Sequence, residues 1–182
     1  MKNSTFVMVG AAALTLGLGS TAVQAGDGSA WGMVKGDWEF TLGGGGTSNK
    51  DFESTSASAN FSVGYFLSDR FELALRQNVS YVNAEQSGDA FAGQTRAALD
   101  YHLKVGQKFY PYFGVNAGGI YGDGVNESWT AGLEAGAKYY VLPKTFLFGH
   151  FEWAWAFESS DEFDDAFDDG AFVYAIGMGF NF

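Results

Sequence analysis

The chain has 182 residues, enough for one domain behind a leader segment, and no cysteine, which excludes disulfides and thiolate metal sites. Its formal charge of −11 argues against nucleic acid as a partner, because phosphate binding needs a basic surface. Aromatic residues make up 18% of the chain and glycine fills 26 positions, a pairing that suits a sheet with aromatic outer positions and small inner ones better than a soluble globule.

The chain opens with Lys2, then a small apolar run over 6–18, then Val23-Gln24-Ala25 at the spacing of a cleavage site. Residues 1–25 read as a cleaved secretory signal, since the apolar run falls well short of the roughly 20 residues a spanning helix needs. No cysteine follows the run, so a lipid-anchored precursor is excluded. Residues 26–182 are expected to form one domain, with 26–34 as a lead-in.

Eight segments of period-two alternation follow, the signature of strands whose side chains point alternately to opposite faces. In 35–43, Trp38, Phe40 and Leu42 oppose Asp37, Glu39 and Thr41. In 55–66, Phe61, Val63 and Tyr65 oppose Asn60, Ser62 and Gly64. In 70–81, Phe71, Leu73, Leu75 and Val79 oppose Glu72, Ala74, Arg76 and Asn78, with Gln77 the one lapse. In 93–103, Ala97, Leu99 and Tyr101 oppose Arg96, Ala98, Asp100 and His102. In 109–121, Phe113, Val115 and Ala117 oppose Tyr112, Gly114 and Asn116. In 129–141, Leu133, Tyr139 and Val141 oppose Gly132, Glu134 and Lys138. In 145–157, Leu147, Phe151, Trp153 and Trp155 oppose Phe148, His150, Glu152 and Ala154. In 171–182, Phe172, Tyr174, Ile176, Met178, Phe180 and Phe182 oppose Val173, Ala175, Gly177, Gly179 and Asn181. Each segment has about the 9 to 11 residues, or slightly more, that a tilted strand needs to cross a bilayer.

The connections alternate in length. Long polar or Gly-rich stretches are expected as loops over 44–54, 82–92, 122–128 and 158–170, and short turns over 67–69, 104–108 and 142–144. The four loops and their edges hold 13 acidic residues against the single basic Lys50, whereas Arg70, Lys104, Lys108 and Lys144 sit at the turns. Gly43 to Gly46 reads as a flexible loop tip. It lacks the GK[ST] that would make it a phosphate cradle.

A soluble eight-stranded barrel such as a lipocalin shares this periodicity, but its polar face would meet water and be densely charged. Here the polar face is dominated by Gly, Ala, Ser and Asn with isolated charges, which suits a crowded interior, and the aromatic face suits lipid. Only closed barrels satisfy strand backbone groups within a bilayer.

The terminal AFVYAIGMGFNF resembles the closing strand of bacterial outer-membrane barrels, which typically end on Phe with alternate aromatics before it. With the alternating segments and unequal connections, residues 35–182 resemble the OmpA/OmpX-type small barrel family. The resemblance implies an all-β, eight-stranded antiparallel up-and-down transmembrane barrel in the cell outer membrane, exported by its signal sequence and expected to be monomeric. It implies as partners outer-membrane lipid, lipopolysaccharide and the barrel assembly machinery, for which Tyr174, Phe180 and Phe182 would form the recognition signal.

In that orientation Glu39, Glu72, Arg76, Arg96, Asp100, Glu134, Lys138 and Glu152 point inward. Counted up from the turns, Arg76 and Arg96 lie at the height of Glu134 and Glu152 on the opposite wall, and an eight-stranded interior is narrow enough for them to meet. The expected result is a lumen plugged by paired charges. The alternative is a narrow ion channel whose pairs exchange, and a lipid-modifying enzyme is the least favoured reading.

No catalytic residue is assigned, since His102 and His150 lie toward the turn ends and neither has a serine two positions away. No cofactor is expected. Asp161, Glu162, Asp164, Asp165, Asp168 and Asp169 crowd one loop but lack the spacing of a calcium loop. They read as a solvated stretch able to hold divalent cations only loosely.

Overall fold

The computed structural model describes residues 31–49, 55–84, 88–122, 128–157 and 170–182. The expected signal sequence and the acidic residues Asp161, Glu162, Asp164, Asp165, Asp168 and Asp169 lie outside the described residues. Among those described, no helix is long and apolar enough to cross a membrane.

Eight strands run in chain order: β1 (Trp38–Asn49), β2 (Thr55–Phe66), β3 (Phe71–Ala84), β4 (Gly88–His102), β5 (Phe109–Gly122), β6 (Ser128–Tyr140), β7 (Thr145–Phe157) and β8 (Ala171–Asn181). Each pairs antiparallel with its sequence neighbour, and β8 pairs with β1 to close a barrel. Trp38 and Phe182 seal the seam by exchanging backbone hydrogen bonds, each amide donating to the other carbonyl at 2.9 Å. Closure leaves no edge strand in the ring, although the β3–β4 hairpin, beyond Ser80 and Ala92, runs past its neighbours among the described residues.

Two expected loops are corrected. The glycines 43–46 are strand, not a loop tip: Gly43 to Gly46 pair with Asn60 to Ala57 on one side and with Gly177 to Tyr174 on the other. Glycine is a poor strand former in isolation, but here both neighbours supply ladder partners and the side-chain-free positions admit close approach. The expected loop 82–92 is also mostly hairpin, since the β3 and β4 ladder continues from Ser80↔Ala92 to Ala84↔Gly88. At the other end β1 starts at Trp38 rather than at residue 35, because Lys35, Gly36 and Asp37 are drawn into the turn-end fold. There the Lys35 amide donates to Asp69 Oδ1 at 2.9 Å and the Gly36 amide to the Phe66 carbonyl at 2.9 Å.

The short connections and the N-terminal segment gather at one end, here called the turn end. In the first turn the Phe71 amide donates to Ser68 Oγ at 3.0 Å, and in the second Gly106 takes a positive φ of 76° that glycine adopts without strain.

Among the described residues the outer face is mostly apolar. Leu42, Leu75, Val115, Leu133 and Ile176 are all more than half exposed and form an aliphatic belt. Aromatic girdles flank it. At the turn end Trp38 packs on Tyr65 with ring centroids 5.2 Å apart, Phe71 on Tyr101 at 4.9 Å and Phe40 on Phe180 at 5.6 Å. At the loop end Trp153 packs edge-on against Phe172 at 4.5 Å. Gln77, the lapse in alternation, joins this outer loop-end region, where its Nε2 donates to Tyr121 Oη at 2.8 Å and Thr95 Oγ1 donates to its Oε1 at 2.5 Å.

The core is the lumen. Its turn end is apolar, with Met33, Phe66, Tyr110, Tyr140 and Phe146 buried and Trp31 and Phe148 packed against them. Residues 31–33 thus depart from the expected lead-in: they fold back as a cork. Tyr110 Oη donates to the Trp31 carbonyl at 2.9 Å, the Gly32 amide to the Pro143 carbonyl at 3.1 Å, and Lys144 Nζ to the Gly32 carbonyl at 3.2 Å. Gly32 is required there, because its φ is 95° and an added Cβ would lie 2.2 Å from Tyr110 Oη.

Candidate functional site

Polarity rises just above the cork. Lys138, on β6, reaches across to strands that are not its neighbours. Its Nζ donates to both oxygens of Glu39 on β1 at 2.6 and 2.7 Å and to Glu72 Oε2 on β3 at 2.8 Å. Asn181 Nδ2 adds a bond to Glu39 Oε2 at 3.0 Å. The rings of Phe66, Tyr112 and Phe146 surround the ammonium with centroids 5.2 to 5.5 Å away. Lys138, Glu39 and Glu72 are each at most 4% exposed, so the cluster is dry and its charges must be matched internally. His102 Nε2 lies 3.4 Å from Glu72 Oε2.

A second layer lies nearer the loop end. Arg76, on β3, donates through Nη1 to Glu134 on β6 and through Nη2 to Asp100 on β4. Arg96, on β4, donates through Nη1 to Glu152 on β7. The two Arg–Glu pairs each join strands three apart in an eight-stranded ring, so they span the lumen nearly along a diameter. Asn116 Nδ2 donates to Glu134 Oε2 at 2.5 Å, and Tyr112 Oη contacts His150 Nδ1 at 3.0 Å. Beside these charges the lining is neutral: Thr41 Oγ1 and Ser62 Oγ, on the ladder rung that holds Arg76, lie 2.6 Å apart, and Asn78 Nδ2 donates to Asn60 Oδ1 at 2.7 Å.

Glycine makes room for this packing. An added Cβ at Gly64 would sit 1.9 Å from Glu72 Oε1, and one at Gly132 would sit 2.5 Å from Glu152 Oε1. Glu72 and Glu152 therefore lie across a neighbouring strand at a position that lacks a side chain, which is one physical reason the inner face is rich in glycine.

All eight candidate lumen residues face inward, in two groups, and the two arginines meet Glu134 and Glu152 across the lumen as their heights suggest. Glu39, Glu72 and Lys138 form the lower group, and Arg76, Arg96, Asp100, Glu134 and Glu152 the upper. Between and beside them lies a cavity of about 40 Å³ bordered by Glu39, Arg76, Arg96, Tyr112, Lys138 and His150. Tyr174, Phe180 and Phe182 lie on the outer face, Phe180 and Phe182 about half exposed. Sequence reading missed Tyr112, Asn116, His102 and His150 as members of the network. Their inward parity is visible in the sequence, and the i, i+2 spacing puts His150 on the same inner face as Glu152, 3.6 Å away in the structure, but nothing in the spacing announces what the other three would meet.

The fold is that of small outer-membrane barrels. The chain superimposes on the N-terminal β-barrel domain of OprF from Pseudomonas aeruginosa with a TM-score of 0.55 at 23% identity, covering 82% of this chain and 100% of that one. It is similar to OprG from Pseudomonas aeruginosa with a TM-score of 0.59 at 14% identity, covering 86% and 99%. Its similarity to Ail, the attachment invasion locus protein of Yersinia pestis, has a TM-score of 0.53 at 14% identity, covering 82% and 100%. No family model and no curated protein matches the sequence.

Proposed function

We propose that the chain is an outer-membrane barrel with a structural or surface-interaction role, its lumen closed by charged side chains. The observation that carries this reading is the stack of barriers along one axis: the Trp31–Met33 cork, the Lys138 clamp and the two Arg–Glu spans. A continuous aqueous path would have to break all three. The apolar outer belt between two aromatic girdles supports a bilayer as the surrounding medium, since an exposed apolar surface of this extent is a liability in water.

The position of the histidines supports a non-catalytic role. His102 and His150 lie within the lumen, walled off from the acyl chains that a lipid-modifying enzyme would attack. Lipid, lipopolysaccharide and the assembly machinery are the partners this placement implies, with the loop end facing outward. The hairpins at that end are the surface left for recognition.

Planar-bilayer conductance of the refolded protein tests the reading. The wild type, shown to be folded and inserted, should be silent. Discrete openings that change in size or frequency when Arg76 and Arg96 are both replaced by Ala would overturn it in favour of a narrow ion channel gated by the upper layer.

A further inference from the structure

With every carboxylate ionised, the lumen would not balance its own charge. Among the described residues, the carboxylates of Glu39, Glu72, Asp100, Glu134 and Glu152 are enclosed with only the permanent cations Arg76, Arg96 and Lys138. With His102 and His150 neutral, each of the two groups would then carry one surplus negative charge in a compartment where uncompensated charge is costly, and one divalent cation would bring the lumen as a whole to neutrality.

The geometry points to a place for it: a zinc-class divalent metal site formed by Glu134, His150 and Glu152. One ligand atom from each of these residues falls within 4.8 Å of the others. That spacing allows a common centre about 2.0 to 2.2 Å from imidazole nitrogen and carboxylate oxygen after small side-chain shifts. The side chains of Glu134 and Glu152 are fully buried and that of His150 is 7% exposed. His150 Nε2 lies 3.6 Å from Glu152 Oε2, beyond hydrogen-bond distance, and neither it nor Glu152 Oε1 has a hydrogen-bond partner although both are buried. Polar atoms at such depth are almost always partnered, and a cation bound among Glu134, His150 and Glu152 would engage both of these at once.

The surroundings suit a metal. With its proton on Nδ1, donated to Tyr112 Oη at 3.0 Å, the His150 ring presents the Nε2 lone pair to the cluster. This is the way an outer hydrogen bond commonly orients a metal-bound histidine. Arg96 takes one oxygen of Glu152 and leaves Oε1 free. Arg76 and Asn116 each occupy one oxygen of Glu134, whose remaining lone pairs stay available because a carboxylate offers about four acceptor sites. His150 also borders the cavity of about 40 Å³, space for a water as a fourth ligand. One imidazole with two carboxylates favours zinc and its neighbours over magnesium or calcium, which prefer all-oxygen shells.

The test uses the tag-free, folded barrel in detergent, its folding confirmed by circular dichroism. It is loaded with Zn²⁺ alone, desalted and analysed for metal, then loaded with Co²⁺ alone and read by its visible absorption. The wild type should retain about one zinc per chain and give a cobalt spectrum of N/O coordination. His150→Ala should lose both signals, Tyr112→Phe should bind roughly ten-fold more weakly, and His102→Ala should bind as the wild type does. Folded wild type that holds no zinc would overturn the site and leave protons to balance the lumen. Zinc that persists in His150→Ala, or that is lost only when the acidic residues of 161–169 are neutralised, would overturn it equally.

Discussion

Replacing Lys138 by Met isolates the energetics of the lower lumen. Methionine keeps much of the aliphatic stem but removes the ammonium, whose Nζ lies 5.2 to 5.5 Å from the ring centroids of Phe66, Tyr112 and Phe146. That one cation makes three short bonds, two to Glu39 and one to Glu72, and both carboxylates are 2% exposed. Breaking a buried pair by deleting one partner costs about 3–5 kcal/mol, chiefly because the survivor stays buried and uncompensated. Here two carboxylates are stranded together, so the loss should lie at the upper end, about 5 kcal/mol. Urea unfolding of the barrel in lipid vesicles, followed by tryptophan fluorescence, measures it. The companion variant Lys138→Met, Glu39→Gln, Glu72→Gln removes every charge of the cluster and should recover most of the loss, because a buried ionic group replaced as a whole is often near neutral. A single variant within about 1 kcal/mol of wild type, or a triple variant no more stable than the single, would refute the view that the cluster is a dry, mutually dependent charge group.

Two further outcomes follow from the outer face and the seam. Leu75→Arg and Leu133→Arg place a charge in the aliphatic belt, where the parent side chains are 58% and 56% exposed, and each should cost about 2–4 kcal/mol in vesicles. Tolerance of both in the same unfolding assay would mean the belt does not face lipid. Deleting Phe182 removes the two backbone bonds with Trp38 that close β1 on β8, along with the ring packed on Phe180 at 5.8 Å. Insertion, followed as the fraction of protease-resistant barrel over time, should slow, and assembly at the wild-type rate would count against the terminal aromatic as an assembly signal.

Most of the fold is legible in the alternation. Residues such as Leu73 and Leu75 against Glu72 and Ala74 reveal strand and face together, since a period of two has one structural meaning. Strand ends were less legible. The glycines at 43–46 look like a loop because composition reports intrinsic preference, whereas ladder bonds from β2 and β8 decide their conformation. The cork was hidden for a similar reason: Trp31, Gly32 and Met33 carry no periodicity, and only the open turn end of the barrel gives them a place to bury.

The sequence by itself determined the number of strands, the direction each side chain faces and the set of charges enclosed, because these depend on residue type and a local repeat. Which charges meet was decided only by the tertiary structure. Asp100 joins Arg76 rather than Arg96, Lys138 gathers Glu39 and Glu72, and His150 is left pointing an unpartnered nitrogen at two glutamates. The physical reason is closure. Joining β8 to β1 fixes the stagger of every strand against its neighbours, and that stagger sets the height at which side chains from opposite walls meet.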